Sequence, residues 1–199
     1  MVGDIVEFLQ YPNLVGKHAF LSPSQAHWLK YDAEKLIRSY DTATARQKGT
    51  ELHEFAANAI KFGIKLEDNG ETINKYVNDC IDCNMRPEQV LYYNEHCFGT
   101  ADAISFENGV LKIFDLKTGV VVKAKFIQLI VYAAIFCLSY GIEPGLIRIE
   151  LRIYQYGEYR EYIPDIEEVL HVMDCIMMAS NVLDKHLEQK GVIKYDIEK

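Results

Sequence analysis

At 199 residues, with 49% hydrophobic and 25% charged side chains, the chain has the composition of a globular protein and not of a disordered or fibrous one. Its formal net charge of −8 argues against a protein that holds a duplex by charge neutralisation alone, since such proteins tend to be basic. The longest apolar stretch, residues 126–138, is too short to cross a bilayer and contains Gln128, and residues 1–7 show no basic segment ahead of an apolar core, so a soluble, cytoplasmic protein without a membrane partner is expected.

Ser22-Pro23-Ser24 reads as a helix entry, with Ser22 at the N-cap and Pro23 at the first position. That helix is expected over about 24–38, carrying Trp28, Leu29 and Leu36. A long helix follows over 42–62, where Leu52, Phe55, Ala56, Ala59 and Ile60 recur at helical spacing and Gly63 stops it. A third is expected over about 71–84, ahead of Pro87, with Ile73, Tyr76, Val77, Cys80 and either Cys83 or Asn84 on one face.

The period then changes. Residues 89–97 read as a strand, rich in β-formers such as Val90, Tyr92 and Tyr93. Residues 100–107 and 110–116 read as two more, joined by Asn108-Gly109, the strongest short hairpin signal in the chain. A helix over 123–140 is expected to face Ile127, Ile130, Val131, Ala134, Ile135 and Leu138 inward and to close at Gly141. Residues 146–154 alternate as a strand, 159–163 pair with it across Gly157, and Pro164 opens a last helix over about 165–189. No linker or repeat interrupts this order. One domain over 1–199 is expected, mainly helical to residue 86, sheet-forming over 87–163 and helical again over 164–199.

The five cysteines, Cys80, Cys83, Cys97, Cys137 and Cys175, are expected to be reduced thiols. Cys80-x-x-Cys83 followed by His96-Cys97 can be drawn as a zinc site. Cysteines on an apolar helix face read better as small buried hydrophobes.

Three short pieces carry the chemistry. Gly99-Thr-Ala-Asp102 sets an aspartate on one strand, and Phe114-Asp115-Leu116-Lys117 sets a second aspartate two residues before a lysine on the next. Gln128 and Tyr132 follow one helical turn apart. Carboxylates on neighbouring strands can converge on a hard, octahedral cation, which makes Asp102 and Asp115 candidate Mg²⁺ ligands. Lys117 shares a strand face with Asp115, and an ammonium there can help activate a water and stabilise charge on a phosphate. Alone, Asp115 and Lys117 also read as an exposed hairpin ion pair, and Gln128 and Tyr132 as packing with a polar rim.

The ordered set resembles the core of the PD-(D/E)xK nuclease superfamily. The Gln128-x-x-x-Tyr132 helix is similar to that of its RecB-like branch, which includes the RecB nuclease domain and CRISPR-associated and mitochondrial-type single-strand exonucleases. Leu21-Ser-Pro-Ser-Gln-Ala-His-Trp28 and Lys48-Gly-Thr-Glu-Leu-His53-Glu54 resemble segments of phage-encoded proteins in that branch. The resemblance spans about residues 20–140. It implies a restriction-endonuclease-like α/β fold, with a central mixed sheet flanked by helices and a helical N-terminal segment. It implies a DNA nuclease, foremost an exonuclease, working with phage recombination or replication proteins.

The resemblance further implies His53 as a third metal ligand, where a histidine on an inner helix face otherwise reads as a core group. It implies the Leu116 carbonyl as another ligand, Gln128 as a contact to the scissile phosphate or Lys117, and Tyr132 as its neighbour on the substrate strand. An imidazole among the ligands makes Mn²⁺ a good or better cofactor beside Mg²⁺. Glu95 is a candidate carboxylate behind the ligands or at a second metal, and Glu54 is expected either at the surface or behind the ligands. Iron–sulfur members carry one cysteine before the histidine segment and three near the C-terminus; no cysteine precedes His53 here, so no iron–sulfur cluster is expected. The other reading is a catalytically silent or zinc-containing nucleic-acid-binding or partner protein on the same fold.

Local charge departs from the acidic total, with Lys112, Lys117, Lys123 and Lys125 around the motifs and Arg46 and Lys48 before the histidine segment. Trp28, Tyr31 and Tyr40, with Lys30, Lys35 and Arg38 nearby, are candidates to line a single-strand channel by stacking on unpaired bases. Burial in a core is the alternative for these aromatics.

Overall fold

The computed structural model describes residues 19–119 and 125–190, apart from the side chains of Ser24 and Gln25. The start of the chain, Lys123 and the first expected residues of the 123–140 helix lie outside them. The chain groups into two compact units, Met1–Lys48 and Gly49–Lys199. The boundary falls inside one helix, at a point where the sequence carries no linker.

In the first unit, Pro23–Lys30 is a 3-10 helix followed by an extended Tyr31, so the helix expected over 24–38 is divided. The cause is local. The Asp32 carboxylate accepts from the Lys35 amide at 2.7 Å and its carbonyl from the Leu36 amide at 2.9 Å, which starts a new helix there. That helix, α1, then runs unbroken over Ala33–Phe62. The expected interruption near Thr42 is absent because its hydroxyl bonds back to the Arg38 carbonyl at 2.8 Å and does not cap. Gly63, at φ 64, ends α1 as the sequence predicts.

The second unit holds the rest of α1, then α2 (Thr72–Asp82), β1 (Arg86–Asn94), β2 (Cys97–Glu107), β3 (Val110–Leu116), α3 (Ile127–Tyr140), β4 (Arg148–Gln155), β5 (Glu158–Tyr162) and α4 (Ile166–Gln189). The strands form one sheet in the order β1-β2-β3-β4-β5. Only the β3–β4 pair is parallel, and such a pair needs a crossover, which α3 supplies. Asn108 (φ 51) and Gly109 (φ 75) turn β2 into β3, and Tyr156 (φ 60) and Gly157 (φ 77) turn β4 into β5. Positive φ at both central residues matches the twist of the flanking strands. A mixed central sheet with flanking helices and a helical N-terminal segment is the restriction-endonuclease-like α/β arrangement.

Each sheet face has its own core. On one face Leu91, Ala101, Ile113, Leu151 and Ile153 pack under Leu129, Ala133, Phe136 and Cys137 of α3, with Val169 of α4. On the other, Ala103, Phe114, Leu116 and Tyr154 meet Ala56 and Ile60 of α1 and Tyr76, Val77 and Cys80 of α2. The inward stripe of α3 differs from the expected one: Leu129 is fully buried and Ile127 is 56% exposed. The helix is apolar nearly all round, so periodicity alone selects no face. Cys80 and Cys97 pack into these two different cores, which separates the residues of the zinc site drawn from the sequence. Among the described residues no helix is long and apolar enough to cross a membrane.

Tyr154 anchors the second core, its ring centroid 5.3 Å from that of Tyr76 and 5.6 Å from that of Phe114. Its hydroxyl donates to Asp79 Oδ2 at 2.7 Å, and burial together with that carboxylate pushes the phenol well above its ordinary range. A hydrogen bond to a charged group contributes about 1.5–3 kcal/mol. Tyr154→Phe is therefore expected to lower stability by about that amount, seen as an earlier urea midpoint at unchanged slope.

Candidate metal and catalytic site

The sheet register brings the acidic residues into line. Ala103 pairs with Phe114 across β2–β3, so the next position sets Asp102 opposite Asp115. Pro87 pairs with Ala103 and Gln89 with Ala101 across β1–β2, so Glu88 stands opposite Asp102 on the other side. Residues two apart on a regular strand share a face, yet Ala101 and Ala103 pack into opposite cores. The alternation is broken at Asp102. Glu88 matches the irregularity with φ 50, a left-handed conformation that costs a side-chain-bearing residue about 1–2 kcal/mol.

Asp102 reaches α1, its Oδ2 lying 3.5 Å from His53 Nδ1 and accepting the Leu116 amide at 2.9 Å. One ligand atom from each of His53, Glu88 and Asp102 lies within 4.8 Å of the other two. Lys117 Nζ stands 2.8 Å from Asp115 Oδ1 and 3.2 Å from Gln128 Oε1, while its amide donates to the Tyr154 carbonyl at 2.9 Å. The Tyr132 hydroxyl donates to the Thr100 carbonyl at 2.6 Å. Gly99 lies so close to that ring that a Cβ would stand 3.0 Å from Tyr132 Cε1. The Gln128 and Tyr132 face of α3 is thus tied to both motif strands.

Electrostatics single out the two aspartates. Burial raises the Asp115 carboxyl above its ordinary range, the Asp102 charge raises it further, and Lys117 pulls it back. Asp102 is likewise raised by burial, with His53, the Leu116 amide and Lys117 acting against the rise and Glu88 with it. Asp115 is only 3% exposed, and its Oδ2 is buried without a hydrogen-bond partner among the described residues. An orphaned buried carboxylate oxygen beside a second carboxylate calls for an explanation. A divalent cation would meet it, and a donor set of carboxylates plus one imidazole suits Mg²⁺ or Mn²⁺.

Glu95 is not part of this group. It lies at the β1–β2 turn, its Oε1 3.5 Å from His96 Nε2, an atom that also stands 3.0 Å from Asp184 Oδ1. Glu88 is the carboxylate that joins His53 and Asp102, because strand position and not nearness in sequence decides which side chains meet. Its signal lay in Pro87: β1 begins before that residue, at Arg86, and starting the strand there puts Glu88 in register with Asp102. Glu54 is exposed as expected, and Lys112 turns to Cys83 Sγ at 3.6 Å. Leu116 joins the group through its backbone amide.

Glu88→Gly removes the left-handed penalty and is expected to stabilise the metal-free protein by about 1 kcal/mol. The same change, and Glu88→Gln, should shrink the rise in melting temperature produced by Mn²⁺. Melting curves with chelator and with Mn²⁺ check both; an undiminished Mn²⁺ effect in both variants removes Glu88 from the ligand set.

Residues 68–170 match the family described as "Protein of unknown function (DUF2800)", a span that includes Glu88, Asp102, Asp115, Lys117, Gln128 and Tyr132 but not His53. No curated protein and no solved structure matches the chain. Since the matched span covers more than half of the 199 residues, the chain belongs to the DUF2800 family.

Proposed function

We propose that this protein is a divalent-metal-dependent deoxyribonuclease that hydrolyses phosphodiester bonds at DNA ends. The observation that carries the reading is the buried, unpartnered Asp115 Oδ2, on a carboxyl that feels the Asp102 charge and whose other oxygen meets the Lys117 ammonium at 2.8 Å. His53, Glu88, Asp102, Asp115 and the Leu116 carbonyl would hold Mg²⁺ or Mn²⁺, which when bound supplies charge neutralisation at the phosphate and a more acidic water. The net charge of −8 is then less of a barrier to a polyanion, since part of it is cancelled where substrate approaches. The choice of DNA, and of ends over internal bonds, rests on the motif resemblance.

The chain's own groups divide the remaining work. Lys117, held between Asp115 and Gln128, offers a positioned ammonium to the attacking water and to the charge that grows on the phosphate. Gln128 fixes the direction of that ammonium and has an amide nitrogen left to donate to a phosphate oxygen. Tyr132, through Thr100, keeps α3 seated against the strand that carries Asp102. The test is cleavage of 5′- and 3′-labelled single- and double-stranded DNA with Mg²⁺, Mn²⁺ or chelator. Metal-dependent shortening from one end supports the reading; intact substrate under every condition with folded protein rejects it and leaves the non-catalytic alternative.

A further inference from the structure

We infer that the first unit carries a binding groove for single-stranded nucleic acid, with Trp28, Tyr31 and Tyr40 as stacking platforms and Lys35, Arg38 and Arg46 as phosphate contacts. The inference deepens the nuclease reading and rests on it for its biological sense. Among the described residues the groove is lined by positions from 19 to 47, none of them acidic, and has a volume of about 900 Å³. In a chain of net charge −8, a described lining with three fixed cations and no carboxylate is locally more positive than the whole and suits a polyanion; Arg38 meets Glu34 at 3.5 Å, an exposed pair that a phosphate can displace.

The helix geometry spaces these cations usefully. Lys35, Arg38 and Arg46 all line the groove from α1, and at 1.5 Å per residue they span about 16 Å, the length of several nucleotides of an extended strand. Between them the lining is aromatic. Phe20 and Tyr40 meet edge to face at 5.2 Å, His27 and Tyr31 stand 5.6 Å apart, and the Lys35 ammonium sits 4.3 Å from the centre of the Tyr31 ring. Tyr40 remains 54% exposed, and the Trp28 indole is oriented by donating to the Ser22 carbonyl at 3.2 Å. Exposed rings beside cations stack on bases whose faces are free, which selects unpaired strands over duplex.

Trp28 is the only tryptophan in the chain, so its emission reports on the groove directly. The experiment titrates the full chain with an oligothymidylate of about 16 nucleotides in chelator, following Trp28 emission and the anisotropy of a labelled oligonucleotide. A duplex of equal length and heparin, which has no bases, serve as comparison ligands. The oligothymidylate is expected to quench Trp28, and Tyr31→Ala to weaken binding about 5- to 150-fold, with Tyr31→Phe restoring it. Lys35→Ala/Arg38→Ala, both at exposed positions, should weaken binding and reduce the salt slope by about 1.4.

Equal affinity of wild type and all these variants, or equal quenching by duplex and heparin, overturns the groove. The two readings separate through a small chromogenic phosphodiester hydrolysed with Mn²⁺. It needs only the metal site, so groove variants should cleave it like the wild type. Groove-dependent binding without any such cleavage keeps this inference and removes the nuclease.

Discussion

Lys117→Ala is expected to lower the rate of DNA hydrolysis at saturating Mn²⁺ by about 10²–10⁴-fold. Lys117 is the only ammonium within contact of Asp115 among the described residues, at 2.8 Å, and Gln128 holds it from the other side at 3.2 Å. Its removal takes away the charge proposed to face the phosphate while leaving the carboxylates in place. Arginine is not expected to restore the rate, because its planar fork and larger head do not reproduce a compact point charge. The variant also leaves a buried carboxylate with less compensation, so circular dichroism with and without Mn²⁺ must accompany the rates. Wild-type turnover by a folded Lys117→Ala protein would falsify the catalytic role of this amine.

The second large effect is on stability. Asp102 and Asp115 both have folded-state values above the ordinary carboxylate range, chiefly through burial. Below that range both are protonated in the folded and unfolded chain, and nothing is lost. As pH rises through it, the unfolded chain releases these protons first, so the metal-free protein loses stability until the folded-state values are passed. A divalent ion reverses this, because its ligands must be deprotonated and its affinity grows with pH. At about 100 times its dissociation constant it should add about 2.7 kcal/mol.

Asp115→Asn is expected to separate these contributions. It removes one of the two raised carboxyls, so the metal-free variant should exceed wild type at neutral pH and depend less on pH. It should also lose most of the gain from Mn²⁺. Thermal unfolding between about pH 5 and pH 8, with chelator and with Mn²⁺, gives all four curves. A wild-type Mn²⁺ shift in Asp115→Asn would place the ion elsewhere.

What could be read from the sequence was what local chemistry decides. Asn108-Gly109 demands one turn type, and β3 starts and ends where the pattern placed it, at Val110 and Leu116. The spacing inside Asp115-x-Lys117 and Gln128-x-x-x-Tyr132 is short enough that strand and helix geometry bring each pair together. Errors arose where a non-local partner or a competing hydrogen bond decides. The Asp32 carboxylate divides one helix, and Thr42 bonds back and so fails to divide the next. The buried stripe of α3 is chosen by the sheet and α4, since its own sequence offers apolar residues on every side. Glu88 is hard to find from sequence because its place depends on the β1–β2 register, which only Pro87 hints at, and on a backbone conformation that glutamate rarely adopts. Glu95 lies nearer to Asp102 along the chain, yet the hairpin turn carries it away.

The tight β2–β3 reversal also bears on the order in which the site comes into being. Asp102 and Asp115 sit on two strands closed by a two-residue loop, so bringing them together costs little chain entropy and does not wait for distant segments. His53 comes from α1, which α2 and β1 separate from that hairpin in sequence, and Gln128 from α3, with residues 117–126 between it and β3. The expectation is a carboxylate pair that forms early and repels itself until the other elements, or an ion, arrive. Trace Mn²⁺ in refolding buffer should then speed the appearance of native far-ultraviolet signal in wild type and have no such effect in Asp115→Asn.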